Sequence, residues 1–163
     1  MNEIVLGGGC FWCIEAALKE LEGVESVTSG YAGGQTENPS YREVCSGKTG
    51  HAEVVKAEYN EKEELGLRKI LELFFRIHDP TTRDREGPDI GSQYRSIILY
   101  TSEKEKEIIQ TFIEKVQADY SEDIVTEVKK LENFYRAEEK HQDYFEKNPE
   151  DAYCRMHARP KVE

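Results

Sequence analysis

Hydrophobic positions recur along this chain with two different periods, and the switches between them divide it into elements. Glu3–Leu6 is a short apolar run, and Gly7, Gly8 and Gly9 follow it as a turn. From Cys10 to Leu21 the side chains Cys10, Cys13, Ala17 and Leu21 share a helical face, and Gly23 closes the segment. Val24–Tyr31 and Ala52–Tyr59 alternate every second residue and predict strands. Between them Ala32–Thr49, with three glycines and a proline, reads as a long ordered loop. Glu61–Ile77 predicts an amphipathic helix that packs through Leu65, Ile70, Leu71, Leu73 and Phe74, and His78–Gln93 predicts a second long loop. Tyr94–Tyr100 reads as a strand. Ser102 caps a helix over Glu103–Asp119, with Glu105 at the third helical position completing a capping box. Ile124–Lys130 predicts a final strand and Glu138–Lys147 a last short helix.

The order β-α-β, β-α-β-α predicts an α+β fold. We expect a two-layer sandwich with a ferredoxin-like, mixed central sheet, packed helices and long ordered loops. No internal repeat, linker or low-complexity tract interrupts it, so residues 1–163 are expected to form one domain.

Charge narrows the partners. Lys plus Arg number 22 against 33 Asp plus Glu, a formal charge of −11. Such a surface repels phosphate backbones and anionic lipid, so neither nucleic acid nor a membrane is the expected partner. Apolar residues still make up 37% of the chain and fall in periodic segments, which excludes global disorder. The N-terminus lacks the pattern of a secretory signal, and no segment approaches the ~20 apolar residues of a membrane span. The expectation is a monomer in the cytoplasm, where cysteines stay reduced and serve catalysis or metal binding more often than structure.

Chemistry concentrates in Gly9-Cys10-Phe11-Trp12-Cys13. Its two thiols sit where a glycine turn meets a helix N-terminus, whose unpaired N–H groups favour a thiolate. That placement is expected to lower the Cys10 pKa. Phe11 and Trp12 between the thiols suit an apolar pocket better than a metal cage. Gly47-Lys48-Thr49 resembles the end of a phosphate-binding loop, but Arg42 stands where the earlier glycine is required and a strand follows instead of a helix. Structural zinc needs a second close ligand pair, and Cys45 and Cys154 lie far apart, so no metal or other cofactor is expected. A Cys-x-x-Cys motif alone is also compatible with thiol–disulfide exchange.

Further segments restrict the choice: Gly30-Tyr31-Ala32-Gly33-Gly34, Asn38-Pro39-Ser40-Tyr41, Val44-Cys45-Ser46-Gly47-Lys48-Thr49-Gly50-His51-Ala52-Glu53-Val54, His78-Asp79-Pro80-Thr81-Thr82 and Asp89-Ile90-Gly91-Ser92-Gln93-Tyr94-Arg95-Ser96. With the Cys10 segment, in this order, the chain closely resembles the type A peptide-methionine sulfoxide reductases over nearly its whole length. The resemblance implies reduction of methionine S-sulfoxide, free or in proteins, with thioredoxin or a similar dithiol as reductant and repair of oxidised proteins as the purpose. It implies that Cys10 attacks the sulfoxide sulfur and that Glu53 protonates the departing oxygen. Tyr41 and Tyr94 then donate hydroxyls to that oxygen, Asp89 organises the polar shell, and Phe11 and Trp12 hold the S-methyl group. After oxygen transfer Cys10 is a sulfenic acid, which condenses with a nearby thiol.

Many family members have glycine where Cys13 stands and recycle through cysteines in a glycine-rich C-terminal tail, which this chain lacks before Glu163. Cys13 is therefore the expected resolving residue, with Cys154 as the alternative and Cys45 as a buried bystander. Glu15, five residues after Cys10, turns away from it and reads as structural. His51 receives no role, and His78-Asp79-Pro80 is expected to fix the second loop. Phe75 in place of a common tryptophan and Glu86 in place of a usual glutamine alter packing and local charge near Asp89, not the chemistry.

Overall fold

The computed structural model describes residues 2–60, 64–87 and 89–148. Its strands are β1 (Asn2–Gly7), β2 (Val24–Ala32), β3 (Ala52–Tyr59), β4 (Arg85–Glu86), β5 (Asp89–Ile90), β6 (Ile97–Tyr100), β7 (Glu127–Lys130) and β8 (Phe134–Arg136). The helices are α1 (Phe11–Lys19), α2 (Tyr41–Cys45), α3 (Glu64–Ile77), α4 (Glu103–Val116) and α5 (Tyr144–Lys147).

Six strands form one sheet in the order β7-β6-β1-β3-β2-β8, and β4 and β5 pair as a separate small hairpin. In the central run β6-β1-β3-β2 each strand is antiparallel to its neighbours. This order arises because β1-α1-β2 and β3-α3-β6 are each a crossover that leaves room for one strand between its ends. That is the ferredoxin-like arrangement. Parallel pairing of β7 with β6 makes the sheet mixed, and β8 extends the other edge antiparallel to β2.

Strand alternation sorts the side chains into two layers. Ile4, Leu6, Tyr31, Val55, Ala57, Tyr59, Ile98 and Tyr100 join the buried residues of α1 and α3 in the main core. Val5, Ala32, Ala52, Val54, Ile97 and Leu99 face the other way, beneath Leu131 and Phe134. Glu53 has the parity of Val55 and stands directly opposite Tyr31 in the register, so it enters the helix-covered layer. A carboxyl there is fully buried.

Several boundaries differ from expectation. Helix α1 begins at Phe11, with Cys10 as an extended N-cap residue (φ −70°, ψ 132°), and ends at Lys19. The segment Ala32–Thr49 contains α2, started by a capping box between Ser40 and Glu43; five residues are too few to show helical periodicity. Tyr94 closes a 3-10 turn (Ser92–Tyr94) instead of opening β6. β7 starts at Glu127 rather than Ile124, and β8 is too short for its alternation to be visible. Asp143, at φ 56°, splits the expected last helix into a 3-10 turn and α5. Ser102 does accept the Glu105 amide, but the Glu105 carboxylate turns to the Thr101 amide (2.7 Å) and the Tyr59 hydroxyl.

The edge strand β8 depends on a missing side chain. A Cβ at Gly30 would lie 2.4 Å from Phe134 Cζ and 2.5 Å from the Tyr135 carbonyl oxygen. Gly30→Ala should therefore push β8 away and cost about 1–3 kcal/mol, read as a lower urea midpoint. An unchanged midpoint would show that β8 contributes nothing to stability.

Candidate active site

The turn Gly7–Gly9 delivers Cys10 to the start of α1. Gly9 takes φ 88°, and its N–H donates to the Tyr94 carbonyl (3.0 Å), which draws the 3-10 turn toward the cysteine. The first free amides of α1 are then divided between two acceptors. The Phe11 N–H donates to Glu53 Oε1 at 3.2 Å. The Trp12 N–H donates to the Cys10 sulfur. One helix N-terminus thus serves both the thiol and the carboxyl.

Burial dominates the proton affinities. Desolvation pushes the Glu53 carboxyl up to about 8; the Phe11 amide opposes this, the Asp89 charge adds to it, and the Cys10 thiol draws it back slightly. Glu53 Oε2 is buried and completes no hydrogen bond of good geometry among the described residues. Cys10 is itself almost inaccessible, and its pKa is raised, chiefly by burial and then by the charges of Glu53 and Cys13. The Trp12 amide works against these and loses. The expectation of a lowered Cys10 pKa is thus overturned, because removal from water outweighs a single helix end. At neutral pH both Cys10 and Glu53 hold protons.

Tyr41 and Tyr94 stand in the same field. Burial, then the charge of Glu53, raises both phenols, so each keeps its proton as a donor. Asp89, on β5, is close enough to raise Cys10, Glu53 and Tyr94. Phe11 is fully buried, with ring centroids 5.8 Å from Tyr31 and 6.2 Å from Tyr41. Trp12 is half-buried and stacks on Tyr144 at 3.6 Å.

Of the other cysteines, Cys13 is buried one helical turn after Cys10, and its N–H donates to the Cys10 carbonyl (3.2 Å). Cys45 is half-exposed and hydrogen-bonds the Tyr41 hydroxyl, and its charge acts on Tyr94. It adjoins the polar shell and is not the buried bystander expected. Cys154 lies outside the described residues.

Segment 138–144 adds residues that sequence reasoning passed over. Glu138 accepts from the Tyr31 hydroxyl (2.9 Å) and from the Tyr41 amide (3.1 Å), so it ties α2 to β2. Buried His141 accepts from the Trp12 indole (3.2 Å). Gln142 clamps Ser29 through two 2.9 Å bonds, one from the Ser29 N–H and one to its carbonyl. The available signal was the run of aromatic and polar residues from His141 to Phe145, which a helix assignment obscured.

The remaining polar groups brace the frame. Glu15 is buried and accepts from the Ser29 hydroxyl (3.0 Å). His51 accepts from the Gly34 N–H (3.0 Å) and pairs with the Thr36 carbonyl (2.7 Å), fixing the first loop. His78 packs under Gly8 and bonds the Phe74 carbonyl and Ser96. Glu86 accepts from the Asp79 N–H (2.7 Å). A cleft of about 710 Å³ beside them, lined in part by His78, Asp79, Glu86 and Tyr120, includes none of the described cysteines. Among the described residues no three His, Cys, Asp or Glu side chains converge as a metal ion requires, and no helix is long and apolar enough to cross a membrane.

Comparison with known proteins gives a consistent result. A family model described as peptide methionine sulfoxide reductase matches residues 2–163. The chain is 63% identical over 160 residues to the peptide methionine sulfoxide reductase MsrA of Natronomonas pharaonis, covering 97% of this chain and 89% of that one. The crystal structure of reduced Mxr1 from Saccharomyces cerevisiae superposes with a TM-score of 0.87 at 38% identity, over 96% of this chain and 90% of that one. A structure of Mxr1 in complex with Trx2 gives 0.60 at 28% identity, over 88% and 84%.

The raised Glu53 pKa links stability to pH. The folded chain binds the extra proton more tightly than the unfolded one, so this favourable contribution is complete below about pH 4.5 and is lost as pH rises to about 8. Glu53→Gln should therefore gain in urea midpoint relative to the parent between pH 5 and pH 9. A difference that stays constant across that range would place the carboxyl in water.

Proposed function

The chain belongs to the peptide methionine sulfoxide reductase family, and we propose how its residues divide the reaction. It is an oxidoreductase that reduces methionine sulfoxide to methionine. Cys10 is the attacking sulfur. As the sulfur bonds to the sulfoxide sulfur, Glu53 gives its proton to the sulfoxide oxygen and takes up the proton of the Cys10 thiol, so the carboxyl ends the step protonated as it began. Transfer of that oxygen leaves methionine and a Cys10 sulfenic acid, so the sulfoxide is reduced by two electrons and the cysteine oxidised by two. Cys13 then attacks the sulfenic sulfur, water leaves, and a Cys10–Cys13 disulfide remains. Residues three apart at a helix start lie within the Cα separation a disulfide spans. A dithiol reductant returns both thiols.

The observation that supports this reading best is the buried, protonated Glu53 carboxyl on the amide next to Cys10. An acid must hold a proton at working pH to deliver it. Asp89 assists by disfavouring the Glu53 carboxylate, and Tyr41 and Tyr94 supply further donors to the oxygen. Trp12, above the buried Phe11, is the wall for the S-methyl group. Fixed donors on one side and an apolar wall on the other select the S epimer, since a methyl contact alone discriminates by only ~1–3 kcal/mol.

The reductant we assign is thioredoxin or a similar dithiol protein, in keeping with the Trx2 complex of Mxr1. We assign the chain as one domain over residues 1–163, acting as a monomer in the cytoplasm on free and protein-bound methionine sulfoxide.

Cys10→Ser should abolish reduction of both separated sulfoxide epimers. Cys13→Ser should complete one stoichiometric round on the S epimer without added dithiol and then stall, as thiol counting and methionine release will show. Absence of that first round refutes the division of labour. Glu53→Gln should lower the single-turnover rate by roughly 10²–10⁴, and a parent-like rate would remove Glu53 as the acid.

A further inference from the structure

Arg95 directly follows Tyr94, and only 11% of its side chain is exposed. Its guanidinium donates in three directions. Nη1 reaches the Ser92 carbonyl at 2.9 Å, Nη2 the Gly50 carbonyl at 3.0 Å, and Nε the Glu127 carboxylate at 3.3 Å. These acceptors belong to the 3-10 turn, the loop that enters β3, and β7. Gly33 leaves room for the fork, since a Cβ there would come 3.2 Å from Nη2.

The two carbonyls lie next to the acid and to one of its neighbouring hydroxyls. Gly50 precedes Glu53 by three residues, and Ser92 precedes Tyr94 by two. The Ser92 carbonyl also accepts the Arg95 N–H at 3.3 Å, so Nη1 closes the 3-10 turn a second time. Gly9 ties this turn to the end of β1, and Gln93 ties it to the Cys45 carbonyl of α2 at 3.3 Å. The bond from Nη2 ties it to the chain entering β3. A planar guanidinium fixes the angle between its acceptors as well as their distance, which an ammonium cannot do. The ion pair is the lesser part, because Glu127 is shared with Lys129 at 3.3 Å.

We propose that Arg95 is the positioning residue that sets the Tyr94 hydroxyl relative to Glu53, by pinning the 3-10 turn to the chain entering β3. The proposal rests on the reading of Tyr94 as a donor to the departing oxygen. With both carbonyls on one rigid fork, turn and strand cannot shift apart as substrate enters. Phenol and carboxyl then meet the oxygen from fixed directions and need no reordering. Arg95 touches none of the reacting atoms and acts through the backbone on either side.

The parent protein offers the first test. Nitrogen-15 spectra should show the two Arg95 Nη groups as separate signals whose protons exchange slowly. One averaged Nη signal overturns the proposal whatever any variant does. Arg95→Met keeps the stem and removes the fork. It should lower the single-turnover rate on the S epimer roughly three- to tenfold, with KM changed less than twofold. It should also shift the carbon-13 signal of the Tyr94 phenol. Arg95→Lys keeps the charge but reaches one carbonyl at a time, so it should behave like Arg95→Met. A parent-like rate and phenol signal in Arg95→Lys would show that charge alone suffices, against the proposal. In a Tyr94→Phe background Arg95→Met should cost less than twofold further, because the group it positions is gone. The full loss in that background means that Arg95 acts elsewhere. Tyr94→Phe alone separates the two readings. If it reacts at the parent rate, the donor reading fails. If it is slow while Arg95→Met alters neither rate nor phenol signal, Tyr94 remains a donor and Arg95 does not position it.

Discussion

Everything at this site depends on how one helix N-terminus is shared. The first two free amides of α1 are committed to different acceptors, the Glu53 carboxyl and the Cys10 sulfur. Neither group receives enough stabilisation to ionise against the cost of burial. The result is a neutral acid and a neutral thiol held side by side, the pairing on which the proposed reaction rests. A helix end given wholly to the cysteine would make a better standing thiolate, with no protonated carboxyl fixed beside it.

The sheet makes that sharing possible. β3 must present a carboxyl on its helix-covered face, and β1 must end in a turn tight enough to start a helix above it. A Cβ at Gly7 would come within 2.7 Å of the Glu53 carbonyl, and one at Gly8 within 2.7 Å of His78. The turn therefore presses the strand end onto both neighbours. Tyr94 follows, because its carbonyl is held by Gly9. Three separated stretches of chain are thus drawn together by backbone contacts before any side-chain chemistry is considered.

The aromatic side of the site is assembled differently. Its parts come from α1, α2 and the segment after β8, and polar ties outside the pocket hold them. Glu138 links α2 to β2, and Gln142 links the same segment to Ser29. Glu15 belongs to this bracing, since its acceptor bond to Ser29 fixes α1 against the same strand position that Gln142 grips.

The sequence by itself determined the strand and helix order, the α+β class and the cysteine at a helix start, because periodicity and glycine turns are local properties. It also singled out Glu53, Tyr41, Tyr94 and Asp89, through the motifs that carry the family resemblance. It could not determine proton affinities. The Cys10 pKa moves opposite to the local expectation, since desolvation is set by residues distant in the chain, β3 and the 3-10 turn among them. Nor could it find α2, β8 or the bond from Trp12 to His141. Two of these elements are too short to leave a period, and the bond from Trp12 to His141 joins residues 129 apart. Only the folded arrangement brings them within reach, because that contact is set by packing and not by local sequence.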